Sequence, residues 1–287
     1  MPGKIRFAPS PTGYLHEGHL LSALYVWAAA QKWGLQTHLR IEDHDQGRAR
    51  PEHIAAIRED LQWLGFQWQS ESIQSGHFDT FEEVLKKLQA RGLVYPCYCS
   101  RKELEEQNPR NQYGEIIYQG RCSNAQPTNA PHSLRLKVPD KVINWHDLRL
   151  GDFAENPKLQ CGDFTLKDRL GCYTYQFAVC VDDIDEGITH VVRGEDLLPS
   201  TARQIALMEI LGRTTPPKYL HHPLLVDPSG KKLSKREKSH SIREDRDAGV
   251  FPQELLGRVL YKAGFLSSSE SAYTSLEKAL ELVAARL

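Results

Sequence analysis

The chain has 287 residues, 40% of them hydrophobic and 25% charged, with 36 Lys and Arg against 37 Asp and Glu. This is enough apolar sequence for a buried core, and it excludes a disordered, collagen-like or membrane-embedded chain. The formal net charge of −1 gives no overall attraction to nucleic acid or an anionic membrane, so any polyanion has to be met locally.

At about 150 residues per domain, the length predicts two compact units, with insertion of one into the other allowed. The N-terminus has no secretory apolar region, and the most apolar stretch, Leu20 to Ala30, is too short to span a bilayer. A cytoplasmic protein without a membrane partner is therefore expected. Lys4 to Ala8 is a short apolar run ended by Pro9, and Gly18 to Lys32 has helical spacing through Leu21, Leu24, Tyr25 and Ala28. Leu35 to Ile41 reads as a second strand, and Pro51 to Leu64 as a helix opened by proline. This β-α-β-α order predicts a parallel sheet with right-handed crossovers. Phe78 to Ala90 is another amphipathic helix, after which Tyr95 to Pro131 becomes polar without a sustained period and reads as an insertion. Short strands are expected at Ser133 to Val138 and Phe164 to Lys167, and Tyr173 to Val181 and Gly187 to Val192 are expected to return to the sheet. A helix over Pro199 to Leu211 follows, then Leu224 to Asp227, a basic run, and two helical patterns, Pro252 to Ala263 and Leu276 to Leu287.

The loop Ala8-Pro9-Ser10-Pro11-Thr12-Gly13 runs into His16-Glu17-Gly18-His19 at a helix start, where backbone N–H groups and the helix dipole favour an anion. Two imidazoles there can donate to phosphate oxygens as charge builds on them, and Gly18 lets a nucleotide approach the backbone. His-x-x-His also chelates metals, but the His-Glu-x-x-His zinc protease spacing is absent. Far downstream, Lys231-Lys232-Leu233-Ser234-Lys235-Arg236 follows Pro228-Ser229-Gly230, and five of residues 231–238 are basic. Alone, this reads as a solvated charge run. Paired with the first motif, it can fold over a triphosphate as pyrophosphate leaves. Three of the six cysteines, Cys97, Cys99 and Cys122, crowd together, which suggests metal rather than a disulfide framework; three sulfurs leave a tetrahedron one ligand short. Cys161, Cys172 and Cys180 are scattered and assigned to packing.

The two motifs together resemble the signatures of class I aminoacyl-tRNA synthetases, and the resemblance covers essentially the whole chain. Arg6 to Gly13, Arg40-Ile41-Glu42-Asp43, Tyr173-Thr174-Tyr175-Gln176 and Val191-Val192-Arg193-Gly194-Glu195-Asp196 are similar to the glutamyl branch. The resemblance implies a glutamate site of Arg6, Phe7, Ala8, Pro9, Ser10, Glu42, Tyr175 and Arg193. It implies an ATP site of Pro9, His16, Gly18, His19, Lys232, Leu233, Ser234, Lys235 and Arg236, with His16, His19 and Lys235 catalytic and Mg2+ accompanying ATP. The residue types suit these roles, since a guanidinium meets a carboxylate with a planar fork and Glu42 can face an α-ammonium. Without the motifs, Arg193 and Glu195 would read as an ion pair. Gln176 is a departure, standing where the glutamyl enzymes commonly have asparagine. A short subfamily also implies one structural zinc on Cys97, Cys99, Tyr118 and Cys122, with a histidine or water as the alternative fourth ligand.

The fold expected is α/β: a Rossmann-type parallel-sheet catalytic domain in two halves, 1–92 and 164–226, with a zinc-containing insertion over 93–163. A lysine loop and small C-terminal helical region fill 227–287. Only about fifty residues follow the lysine loop, too few for the anticodon-binding region of a full synthetase. The resemblance is therefore to the truncated paralogue of the glutamyl branch, which activates L-glutamate with ATP and attaches it to queuosine in the anticodon of tRNA(Asp). The chain is expected to act as a monomer. The alternatives are 3'-end aminoacylation with a separate anticodon-binding chain, a small-molecule acceptor, or a non-catalytic RNA- or protein-binding module.

Overall fold

In the computed structural model, which describes residues 2–225, 240–267 and 273–287, the chain opens with β1 (Lys4–Phe7), α1 (Glu17–Trp33) and β2 (Gln36–Ile41). β1 and β2 are parallel, and α2 (Pro51–Trp63) leads to β3 (Ser70–Ile73), parallel to β2. After α3 (Phe78–Ala90), β4 (Val94–Cys97) leaves this sheet, followed by α4 (Arg101–Gln107) and β5 (Ser133–Leu136). β6 (Ile143–Asp147) and β7 (Gly151–Glu155) form an antiparallel hairpin; α5 (Pro157–Cys161) and β8 (Thr165–Lys167) come next. α6 (Tyr175–Asp185), β9 (His190–Gly194), a 3-10 turn at Glu195–Ser200, α7 (Thr201–Ile210) and β10 (Lys218–His222) return the chain to the centre. The strand order is β3-β2-β1-β9-β10-β6-β7 in a mostly parallel seven-stranded sheet, with β4-β5-β8 as a separate three-stranded sheet. The expected α/β, Rossmann-type architecture is present.

Three details differ from the sequence reading. The segment 93–163 is not set apart as a whole, because β6 pairs with β10 and brings the hairpin onto the main sheet. Tyr173 to Val181, expected in the sheet, lies largely in α6; an apolar run this short does not distinguish strand from helix. β10 was not anticipated, since its sequence Lys-Tyr-Leu-His-His hides a strand buried from Tyr219 onward.

α1 is buried on nearly every side from Leu20 to Ala30, which is why its apolar stripe is so broad. It ends at Gly34, whose φ of 63° is the left-handed cap conformation that glycine adopts without strain. The helices α8 (Ile242–Asp247), α9 (Pro252–Lys262) and α10 (Leu276–Ala284) finish the chain. Leu255, Leu256, Val259 and Leu260 of α9 and Ala279 and Val283 of α10 share one buried cluster with α1. The C-terminal region thus supports the helix whose N-terminus enters the site. Among the described residues, no helix is long and apolar enough to cross a membrane.

Candidate functional site

A cleft of about 400 Å³ opens at the carboxyl ends of β1 and β9. β2 and β3 extend from β1 in one direction, β9 and β10 in the other, so the cleft sits at the topological switch point where open α/β sheets bind ligands. The end of β1 and its following turn supply Arg6, Phe7, Ala8, Pro9 and Ser10; the start of α1 supplies His16, Gly18 and His19. Glu42 after β2, Tyr175 at the start of α6 and Arg193 in β9 complete the expected glutamate-site residues. Asp196, His222, Leu224 and Leu225 line it too and were not anticipated.

The two histidines are fixed by their own backbone. His16 caps α1, its Nδ1 accepting from the Gly18 N–H at 3.1 Å, while His19 Nδ1 accepts from the His16 N–H at 3.1 Å. The ring centroids are 3.9 Å apart. A ring nitrogen that accepts a backbone hydrogen bond is unprotonated, so in each neutral imidazole the proton resides on Nε2. Both rings therefore present N–H donors beside the positive end of a helix. A Cβ on Gly18 would lie 2.9 Å from His16 Cε1, so any larger residue displaces that ring.

The two cleft arginines are held differently. Arg6, 4% exposed, donates from Nε to Asp183 Oδ1 at 3.1 Å, and its terminal nitrogens make no hydrogen bond to other described residues. The fully buried Arg40 donates to the same Asp183 oxygen at 2.8 Å, to Glu186 at 2.8 Å and to Glu42 at 3.3 Å. Burial works against an ionised Asp183, but the two guanidiniums hold its carboxyl below the usual range. Arg193, also 4% exposed, has no ion pair among the described residues. It donates to His221 Nε2 at 3.0 Å, Gln204 Oε1 at 2.7 Å and Thr201 Oγ1 at 2.8 Å. Glu195 pairs with Arg149 instead. A buried guanidinium with only neutral acceptors retains an uncompensated charge, and a cleft lined by it favours a carboxylate guest.

Gln176, the departure noted above, donates to Ser200 Oγ at 2.8 Å and accepts from Gln204 Nε2 at 2.9 Å. That contact orients the Gln204 amide with its oxygen toward Arg193. Sequence reasoning missed Arg40 as a structural cation, Asp183, Thr201, Gln204 and His221. The one signal available was the acidic pair Asp182-Asp183 inside an otherwise apolar helix, which demands buried partners.

Away from the cleft, the Sγ atoms of Cys97, Cys99 and Cys122 all lie within 4.8 Å of one another. Tyr118 Oη lies 3.4 Å from Cys97 Sγ and 3.8 Å from Cys99 Sγ, and Cys99 and Cys122 Sγ are 3.5 Å apart. Gly162, at φ 66°, passes so close to Tyr118 that a Cβ would collide with its carbonyl oxygen. Cys161 and Cys180 are buried, and Cys172 is half-buried. Lys232, Leu233, Ser234, Lys235 and Arg236 lie outside the described residues. On the near side, Leu225 lines the cleft; on the far side, Ser241 forms a β-bridge with His16, and the Ile242 N–H donates to the Leu15 carbonyl.

A parallel sheet whose switch point joins a histidine-bearing helix start to a pair of buried guanidiniums places the chain among the nucleotide-using synthetases. The model of the family "tRNA synthetases class I (E and Q), catalytic domain" matches residues 4–284, and the chain belongs to that family. A curated glutamyl-Q tRNA(Asp) synthetase of Neisseria meningitidis serogroup A is 44% identical over 236 residues, 80% of this chain and 79% of the relative. Another, from Nitratidesulfovibrio vulgaris, is 39% identical over 280 residues, 91% of this chain and 86% of the relative. Within its class, the chain thus belongs to the glutamyl-Q tRNA(Asp) synthetase family. A solved glutamate tRNA ligase from Elizabethkingia meningosepticum, in complex with its amino acid, is 28% identical with a TM-score of 0.79 over 99% of this chain. The chain spans 66% of that ligase's length.

Proposed function

We propose that the chain activates L-glutamate with ATP and transfers it to the queuosine of the tRNA(Asp) anticodon. The observation that carries the activation step is the cleft itself, where Arg193 keeps an uncompensated charge within reach of the paired histidines. The family of its relatives, covered over most of their length, carries the acceptor. Arg6 and Arg193 meet the carboxylates of glutamate and Glu42 its ammonium, with Tyr175 and Phe7 to Ser10 shaping the pocket. An α-carboxylate oxygen attacks the α-phosphorus of Mg2+-bound ATP in line, the bond to the bridging oxygen breaks, and pyrophosphate leaves. His16 and His19 donate to the oxygens gaining charge, assisted by Lys232 and Lys235 of the loop. A hydroxyl of queuosine then attacks the mixed anhydride, forming an ester and releasing AMP. The chain is taken to act as a monomer. The test is glutamate-dependent exchange of labelled pyrophosphate into ATP; its absence in folded protein would leave a non-catalytic RNA- or protein-binding module.

The cysteine cluster is proposed to hold one structural zinc. With a Zn–S bond of about 2.3 Å, tetrahedral sulfurs lie about 3.8 Å apart, close to the spacing of these donors. Cys97, Cys99, Cys122 and Tyr118 would be the ligands, and the ion would cross-link the part of 93–163 that leaves the main sheet. Elemental analysis of gently purified protein is expected to give about one zinc per chain. Stripping it is expected to lower the melting temperature by several degrees. Substoichiometric metal in stable protein would contradict the site.

A further inference from the structure

Arg193 is held on three sides by groups that are neutral, and the tautomer of one of them, His221, is set by a residue outside the cleft. His221 and Asp147 are both fully buried. His221 Nε2 lies 3.0 Å from Arg193 Nε, and a guanidinium N–H can only donate, so Nε2 must be the unprotonated nitrogen. The proton then sits on Nδ1, where it is donated to Asp147 Oδ2 at 2.7 Å. Asp147 is itself fixed: Oδ1 accepts from the backbone N–H groups of Arg149 and Leu150 at 3.0 Å each, and Oδ2 also accepts from the His221 N–H at 3.1 Å. Burial pulls the His221 imidazole below its usual pKa, with Arg193 acting in the same direction and the Asp147 hydrogen bond opposing them.

We infer that His221, fixed in its Nδ1–H tautomer by Asp147, is a positioning residue that holds Arg193 for the carboxylate of the substrate without neutralising its charge. A carboxylate in place of the imidazole would compete with the substrate; an Nε2–H would confront the guanidinium N–H. The Asp147–His221 pair acts from the rear of the site, through β6 and β10, and touches neither glutamate nor ATP. The inference rests on the glutamate-activating reading above.

Asp147→Asn tests it with almost no change in volume. Oδ1 must still accept from two backbone N–H groups, so the new amide nitrogen faces His221 Nδ1, driving the ring into the opposing tautomer, and also faces the His221 backbone N–H, which loses its acceptor. The expected result is a KM for glutamate raised about tenfold or more in pyrophosphate exchange, with the KM for ATP unchanged. His221→Ala is expected to do the same. His221→Gln, whose Oε1 can accept from Arg193 Nε, is expected to recover most of the loss. A glutamate KM unchanged in folded Asp147→Asn and His221→Ala, or a His221→Gln no better than alanine, would overturn the positioning role while wild-type exchange stands. Should Asp147→Asn prove too unstable to assay, the alanine–glutamine comparison at His221 decides alone. A wild-type protein with no glutamate-dependent exchange would overturn both this role and the activity on which it rests.

Discussion

His19→Ala is expected to slow glutamate-dependent pyrophosphate exchange by about a hundredfold or more, because a donor aimed at developing negative charge contributes that much when water is excluded. The residue has two functions on its two nitrogens. Nδ1 closes the cap of α1 by accepting the His16 N–H, and loss of such a cap costs about 1 kcal/mol. Nε2–H is the donor assigned to a phosphate oxygen under the proposed function. His19→Asn separates them, since its Oδ1 can take the place of Nδ1 while nothing replaces Nε2–H. That variant should recover the thermal stability of wild type yet remain slow, and His19→Gln, with an amide nitrogen nearer the Nε2 position, should regain part of the rate. Melting curves alongside exchange rates decide the matter; a fast His19→Asn would show that the cap alone is what the enzyme needs.

Arg193→Lys is expected to raise the KM for glutamate about a hundredfold, although charge is conserved. The guanidinium satisfies His221, Gln204 and Thr201 along its edges and still has N–H groups left for a ligand. An ammonium has three donors in all, and it cannot meet three diverging acceptors and a carboxylate together. Gln204 and Thr201 would then lose partners inside the protein, so a drop in melting temperature should accompany the loss of affinity. Glutamate titration of the exchange reaction reads the effect, and a KM within the wild-type range would remove Arg193 from the substrate site.

The outer surface of the cleft was legible in the sequence and its support was not. Arg6 to Ser10, His16, His19, Glu42, Tyr175 and Arg193 occur in contiguous motifs, and the fold brings all of them to one opening. Asp147, His221 and Gln204 come from a hairpin, an inner strand between β9 and β6 and a helix with no motif, and only three-dimensional pairing relates them. β10 was missed for the same reason. His221 and His222 look like surface residues until Asp147 accepts from one and Tyr25 stacks on the other at 4.7 Å. Polar residues that bury with partners leave no mark in an apolar pattern. β6 did leave one, Ile143, Trp145 and Asp147 alternating inward, but the polar insertion before it masked the signal. The basic run at 231–236 was legible as a motif alone.

The measurement that bears most directly on the proposed function is transfer of labelled glutamate, with ATP, to purified tRNA(Asp) with and without queuosine, with tRNA(Glu) alongside. Label on queuosine-bearing tRNA(Asp) alone is the result expected. Label on tRNA(Glu), or on tRNA(Asp) lacking queuosine, would contradict it and assign the cleft to 3'-end aminoacylation.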